Sequence, residues 1–184
     1  MPESGLPLLT NWQNFYMIAG TAAATLTGLM FIVITLMADF ERQVPTLNAG
    51  ISAFSSPTVV HFCTVLLMAA ILSAPWQAFW SVGLVLGLLG LGEGFYLLTV
   101  IRWMRRVPGY KTPLKDWLWY SAIPLGAHIV LIGAAVTLPA NPALVLYLIA
   151  AVMVVLLFAG IRNAWDLVTF LAVERSHPEH KNGE

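Results

Sequence analysis

Three ionisable side chains stand inside long apolar stretches of this sequence, where such groups are rare. Glu93 interrupts the run GLVLGLLGLGEGFYLLTVI, which has no other charge before Arg102. His61 and His128 lie in two further apolar runs. A charged side chain at membrane depth costs about 2.5–3.5 kcal/mol on insertion scales, so residues of this kind face protein or water and mark ion or proton paths.

These residue types support three kinds of site. A carboxyl group and two imidazoles can relay protons or line a cation path, which is our first hypothesis for Glu93, His61 and His128. The same three groups are candidate ligands for a divalent metal ion. Two imidazoles from facing helices can instead hold the iron of a haem. These three residues lie in separate runs and form neither a His-x-x-x-His nor a Glu-x-x-His motif, so the spacing does not favour one kind of site over another. We expect no resident cofactor.

The surroundings of His128 add a local signal. Pro124 precedes it by four residues in the same run. Proline has no N–H, so the usual helical hydrogen bond to the Tyr120 carbonyl is lost there. We therefore expect a distortion of the helix beside His128, which opens a small polar space.

The composition explains why these residues need a bilayer setting. Hydrophobic residues make up 59% of the chain and charged residues 10%, whereas soluble domains carry about 25% charged residues. The net charge of +0 gives no reason to expect a nucleic-acid partner. A single cysteine, Cys63, excludes an intrachain disulfide. We predict an all-α polytopic membrane bundle over residues 1–176 and a disordered cytoplasmic tail over residues 177–184.

Five stretches are long and apolar enough to cross a bilayer, since a crossing takes about 20 residues. Proline suits the first position of a helix. Four prolines fall at or just before predicted starts: Pro57, Pro75, Pro113 and Pro142. The predicted N-caps are Ser56, Thr112 and Asn141. The predicted spans are residues 14–38, 57–74, 76–101, 116–138 and 142–161.

Two shorter segments flank these spans. In residues 43–56 the apolar side chains recur at steps of three and four, which predicts a short helix along the membrane surface. Residues 163–175 are predicted to extend the fifth helix into the cytoplasm. Arg162 and Asp166, at the start of this extension, have the spacing of an i,i+4 ion pair.

The basic residues predict how the chain is threaded. With five crossings, all nine Lys and Arg residues fall on one side of the membrane. The positive-inside rule makes that side cytoplasmic, so the N-terminus is outside and the C-terminus inside, in a bacterial inner membrane. The cluster between the third and fourth spans also predicts binding to anionic lipid headgroups. Its members are Arg102, Arg105, Arg106, Lys111 and Lys115.

Small residues in the first and third spans predict close helix packing, because they let backbones approach. Gly20, Ala24 and Gly28 are spaced by four in the first span, and Gly83 and Gly87 in the third. They serve either packing within one protomer or the interface of a homo-oligomer. Both alternatives are open at this point.

Enzymatic motifs are absent from the sequence. It has no Gly-x-Ser-x-Gly elbow, no cysteine pair and no metalloprotease helix motif, which argues against an enzyme. The first hypothesis is an oligomeric channel or proton- or cation-conducting protein that uses Glu93. The alternatives are an accessory or scaffold subunit of a larger membrane complex, and a haem or metal protein that uses His61 and His128. The expected partners are the lipid bilayer and either further copies of the chain or that complex.

Overall fold

A computed structural model of the chain describes residues 6–41, 48–104 and 117–175. Within these ranges the chain forms helices and no strand, so the prediction of an all-helical fold is confirmed for them. A π-helical turn, Leu118–Ala122, leads directly into the fifth helix. The helices are α1 (Leu6–Asn11), α2 (Gln13–Glu41), α3 (Asn48–Ser73), α4 (Phe79–Met104), α5 (Ile123–Thr137) and α6 (Pro142–Arg175).

Four helical stretches in the described residues are long and apolar enough to cross a membrane, which fits a membrane-integral protein. The apolar part of α3, Pro57–Ser73, is shorter than these four. The crossing by α3, and with it the count of five, therefore stays a prediction. The four long stretches are Gln13–Leu36, Phe79–Arg102, Leu118–Thr137 and Pro142–Thr169.

Helix α3 lies at the centre of the bundle. It packs against α2, α4 and α6, and α5 packs against α4 and α6. The helices α3, α4, α5 and α6 thus form a ring in which α3 and α5 are diagonal partners, while α2 covers the outside of α3. Because α3 is covered on three sides, its side chains Phe62, Val65 and Met68 are fully buried.

The N-terminal part of α3 differs from the prediction. The sequence places a helix start at Pro57 with Ser56 as its N-cap, but the helix begins at Asn48 and continues through both residues, so that N-cap prediction is wrong. The separate surface helix predicted over residues 43–56 is therefore wrong from Asn48 onward, and residues 42–47 lie outside the described ranges. Proline has a backbone angle that suits a helix and removes one hydrogen bond, a loss that helices of membrane proteins tolerate.

Two other proline boundaries are confirmed. Pro75 lies in the connection between α3 and α4. Pro142 is the first residue of α6, and Asn141 Oδ1 accepts a hydrogen bond from the Leu144 N–H at 3.4 Å, as expected of an N-cap. The predicted extension over residues 163–175 is also confirmed, because α6 continues to its end.

The N-terminal segment packs against the bundle, which goes beyond the sequence prediction. Helix α1 contacts α2, and its Leu9 is buried. The Trp12 ring lies edge-on to Tyr147 of α6, with centroids 4.8 Å apart. The predicted disordered tail, residues 177–184, lies outside the described ranges.

Neighbouring long helices are antiparallel, so the bundle has two ends. A Cβ on Gly20, early in α2, would meet Ala69, late in α3, and one on Gly83, early in α4, would meet Ala135, late in α5. We call the end at which α2, α4 and α6 finish the basic end, because every Lys and Arg of the sequence comes in the later half of one of these helices or after it. The other end is called the opposite end.

Candidate functional site

His61 and His128 meet at the centre of the bundle. They come from the diagonal helices α3 and α5, with ring centroids 6.3 Å apart and ring planes tilted by 42°. Each residue is 1% exposed. His61 lies about three turns before Ser73, or roughly 18 Å from the opposite end of α3. His128 lies about midway along the apolar stretch Leu118–Thr137, so the imidazole pair is far from both ends of the helices.

One of the four ring nitrogens in this pair has a hydrogen-bond partner in the described structure. His128 Nδ1 lies 2.6 Å from the Pro124 carbonyl oxygen, and because a carbonyl only accepts, Nδ1 carries the proton. His128 Nε2 is then a lone-pair acceptor, and it has no partner, nor has either nitrogen of His61. A buried polar atom without a partner costs about 1–3 kcal/mol. Three nitrogens at one place are thus available to a proton, a water molecule or a cation.

The π-helical turn before α5 is the distortion expected beside His128. Within Leu118–Ala122 the helix widens, and the Ile123 N–H donates to the Leu118 carbonyl. A wider turn rearranges the hydrogen bonds next to Pro124, which has no N–H to give. The Pro124 carbonyl then accepts the ring proton of His128 one turn later, and this bond fixes the imidazole.

Glu93 faces the interior of the bundle at the same depth. It shares a face of α4 with the buried residues Gly90 and Leu97, and it is itself half-buried. A Cβ on Gly90 would meet Leu131 of α5, so in this antiparallel pair Glu93 is about level with His128. Counting residues along each predicted span already places Glu93 and His128 at a similar depth.

The immediate neighbour of Glu93 is a hydroxyl group and not an imidazole. The Thr64 side chain of α3 lies beside the Glu93 carboxyl group. Within the described residues, no three His, Cys, Asp or Glu side chains are close enough together to hold a metal ion. The structure thus pairs His61 with His128 and does not gather the candidate metal ligands His61, Glu93 and His128 into one cluster.

A second polar group, which the sequence analysis missed, lies between the imidazole pair and the basic end. The Tyr120 hydroxyl donates a hydrogen bond to the Asn163 carbonyl oxygen at 3.2 Å. The Asn163 side chain is fully buried, and neither polar atom of its amide has a partner among the described residues. Ser121 is buried as well. Asn163 lies on the same face of α6 as the buried residues Gly160 and Leu167. This spacing could have indicated a buried amide, but only if the inward face of α6 were already known.

Charged side chains near the basic end face outward. Arg162 Nε donates to Asp166 Oδ2 at 3.3 Å, which confirms the predicted i,i+4 pair. The Arg162 guanidinium also lies over the Trp119 ring, 5.3 Å from its centroid. Exposed pairs of this kind contribute little to stability. Among the residues predicted to bind lipid headgroups, Arg102 is exposed, and four lie outside the described ranges: Arg105, Arg106, Lys111 and Lys115.

Three of the small residues named in the sequence analysis lie at helix contacts. A Cβ on Gly20 would stand 2.9 Å from the Cβ of Ala69, and a Cβ on Gly83 would overlap the Ala135 carbonyl oxygen. Gly87 also faces Ala135, at ordinary contact distance. At these points α2 approaches α3 and α4 approaches α5 more closely than larger residues permit.

The two other small residues of the first span lie on the exposed face of α2. Ala24 and Gly28 are exposed, as are Thr21 and Thr25 beside them. A Cβ added to Gly28 would have no neighbour within 4 Å. In a membrane this face meets lipid or another protein chain.

Comparisons with protein-family models, with curated proteins and with solved structures find no match for this chain. Its function is therefore inferred from the residues of the bundle. These are the buried imidazole pair, the half-buried carboxyl group of Glu93, and the polar side chains that extend from them toward the basic end.

Proposed function

We propose that this membrane-integral protein conducts protons, with the His61–His128 pair as the relay and Glu93 as the carboxyl group with which the pair exchanges them. The observation that carries the proposal is the pair itself. Two buried imidazoles with ring centroids 6.3 Å apart have three ring nitrogens without a partner among the described residues. Imidazole can accept a proton on one ring nitrogen and release one from the other, and ionisable groups of this kind inside membrane proteins mark proton relays.

A polar route connects the pair to the basic end. Buried polar side chains lie between the middle of the bundle and that end. The Tyr120 hydroxyl and the Asn163 amide supply donors and acceptors one to two turns beyond the pair. Hydroxyl and amide groups can order water into a hydrogen-bonded chain, and protons then reach His61 from the basic side. Among the described residues, the buried polar side chains beyond the pair on this side are Thr58, Ser121 and Asn163.

The step from the pair to Glu93 passes Thr64. This residue follows His61 by one turn on α3, and its hydroxyl lies beside the Glu93 carboxyl group. The Thr64 hydroxyl donates to the Val60 carbonyl oxygen at 2.8 Å, so its own oxygen can still accept a hydrogen bond from the protonated Glu93 carboxyl group. Thr64 is therefore a positioning residue between the imidazoles and the carboxyl group.

The half-buried position of Glu93 favours an oligomeric conductor. Beyond Thr64 toward the opposite end, the buried side chains of the described residues are apolar apart from Tyr16, so these residues offer no continuous polar route along the axis of one protomer. Protons that reach Glu93 leave at the surface of α4. We propose that further copies of the chain enclose this surface and complete the path.

The test is proton uptake by liposomes that contain the purified protein, driven by a potassium diffusion potential. We expect uptake with the wild-type chain and a loss of at least tenfold in initial rate with Glu93→Gln or His61→Gln, because each removes a titrating group. Asp166→Asn is the matched control for the acid and His177→Gln for the imidazole. Both should keep the wild-type rate.

Two results contradict the proposal. A folded wild-type protein that gives no uptake above empty liposomes is not a conductor on its own, and purification only within a larger complex then favours an accessory subunit. Uptake that survives both Glu93→Gln and His61→Gln shows that protons follow another route. The oligomeric state in detergent is measured on the same samples, since a monomer that conducts also contradicts the oligomeric path.

A further inference from the structure

We infer that the His61–His128 pair is also a binding site for one monovalent copper ion, held between one nitrogen of each imidazole. This activity goes beyond proton transfer and does not depend on it. Both rings are 1% exposed, and three of their four nitrogens have no partner in the described structure. Such nitrogens are costly in a protein interior unless something binds them.

The separation of the rings suits a single atom between them. Metal–imidazole bonds of about 2.0–2.1 Å on both sides of one ion place two ring centroids roughly 6 Å apart, and the observed separation is 6.3 Å. A direct N–H···N bond needs nitrogens about 3 Å apart, which brings the centroids nearer than they are here. The ring separation therefore has the length expected for one shared atom and is longer than a direct hydrogen bond between the rings allows.

The orientation of His128 is that of a metal ligand. Histidines that bind metals usually donate the other ring N–H to a carbonyl or a carboxylate, which fixes the tautomer and turns the free lone pair toward the ion. His128 does this through its 2.6 Å contact from Nδ1 to the Pro124 carbonyl oxygen. Neither nitrogen of His61 has a hydrogen-bond partner in the described structure, so either one can serve as the second ligand.

The number of ligands selects the ion. Zinc in a structural site takes four protein ligands, and no third His, Cys, Asp or Glu joins this pair in the described part of the chain. Monovalent copper and silver have filled d shells and accept two ligands in a line, and imidazole is a suitable copper ligand. A single positive charge is also less costly to bury than a double one.

Silver(I) is the first probe, because it has the same coordination preference and is stable in air. The sequence has four histidines and one cysteine, so the variant Cys63→Ser/His177→Gln/His180→Gln keeps only His61 and His128 of these. We expect this variant in detergent to bind one silver ion per chain. Adding His61→Gln or His128→Gln should weaken binding at least tenfold, whereas Glu93→Gln should leave it within threefold.

Copper(I) then tests the geometry. X-ray absorption of the copper-loaded variant should show two nitrogen neighbours at about 2.0 Å. Circular dichroism and gel filtration of each variant exclude loss of the fold as the cause of weaker binding. If the ion occupies the relay nitrogens, copper(I) also slows proton uptake in liposomes.

Three results overturn the copper site. The first is no stoichiometric silver binding by the triple variant, as expected if water alone lies between the rings. The second is binding that survives both His→Gln changes, which assigns it to methionine. The third is a purified protein that carries haem on this pair, recognised by a Soret band. Silver binding without proton uptake contradicts only the proposed function, and uptake without silver binding contradicts only this inference.

Discussion

Between the imidazole pair and the opposite end the bundle is packed with hydrocarbon, whereas between the pair and the basic end it buries polar groups. The large core cluster occupies the first region and includes Met68, Leu72, Leu86 and Leu146. The second region contains the small cluster of Met30, Phe62 and Leu167. It also contains hydroxyl and amide side chains, among them the Asn163 amide, which has no partner.

The difference in buried polarity indicates that one half of the bundle serves stability and the other half serves function. The hydrocarbon half is closed to water and held by close backbone contacts, such as that of Gly83 with Ala135. The polar half leaves buried nitrogens and oxygens unpaired, which lowers stability and keeps those atoms available for chemistry. Changes in the first half should therefore affect mainly stability, and changes to the imidazoles in the second should remove function without loss of stability.

The largest effect is expected for Gly83→Ala in the hydrocarbon half. The new Cβ would overlap the carbonyl oxygen of Ala135, and because backbone cannot rotate away, α4 and α5 must separate. We expect a loss of about 3 kcal/mol in the free energy of unfolding, at the upper end of overpacking costs. Denaturation in mixed detergent micelles measures it.

The matched control for this substitution is Gly92→Ala on the same helix. A Cβ there has no neighbour within 4 Å, so the change in stability should stay within about 0.5 kcal/mol. Equal losses for the two variants would mean that the close contact between α4 and α5 does not hold this half together.

The course of the helices could be predicted well from the sequence. A bilayer requires long apolar runs, and α2, α4 and α6 follow the predicted stretches closely. The start of α3 could not, because proline only favours a helix start, and whether a helix continues through Pro57 depends on the segment before it. The packing of α1 could not either, since six residues have no periodicity to detect.

The sequence predicts how deep the candidate site residues lie along their helices, but not which side of each helix faces the interior of the bundle. Counting residues along each helix places His61, Glu93 and His128 at a similar level. Which face of a helix turns inward is set by its neighbours, and the three sequences around these residues are apolar on all sides. The sequence therefore cannot show that the two imidazoles meet while Glu93 lies beside Thr64.

The next effect in size, and of opposite sign, is expected for His61→Leu in the polar half. Leucine fills a similar volume and removes two buried nitrogens that have no partner. We expect the metal-free protein to gain about 1–2 kcal/mol in the free energy of unfolding, while proton uptake and silver binding are lost. His128→Leu should gain less, because it also removes the hydrogen bond to Pro124.

The control is Met68→Leu, two turns away on the same helix in the hydrocarbon half. This exchange of one apolar side chain for another should cost less than about 1.5 kcal/mol and give no gain. A loss of stability for His61→Leu as large as that of a cavity-forming change, about 2–5 kcal/mol, would mean that the imidazole has partners that stabilise the bundle. His61 would then belong to the structural half, and the proposed division of the bundle would be wrong.

The smallest effects are expected when a tyrosine hydroxyl is removed, once in each half of the bundle. Tyr120→Phe removes the 3.2 Å bond to the Asn163 carbonyl oxygen and should cost about 0.6 kcal/mol, the average for a hydrogen bond between membrane helices. Tyr16 is fully buried in the hydrocarbon half, and its hydroxyl has no partner. Tyr16→Phe should therefore raise stability by about 0.5–1 kcal/mol. Denaturation of both variants in the same micelles gives the two signs, and a loss of stability in both would show that the hydrocarbon half also satisfies a buried polar group.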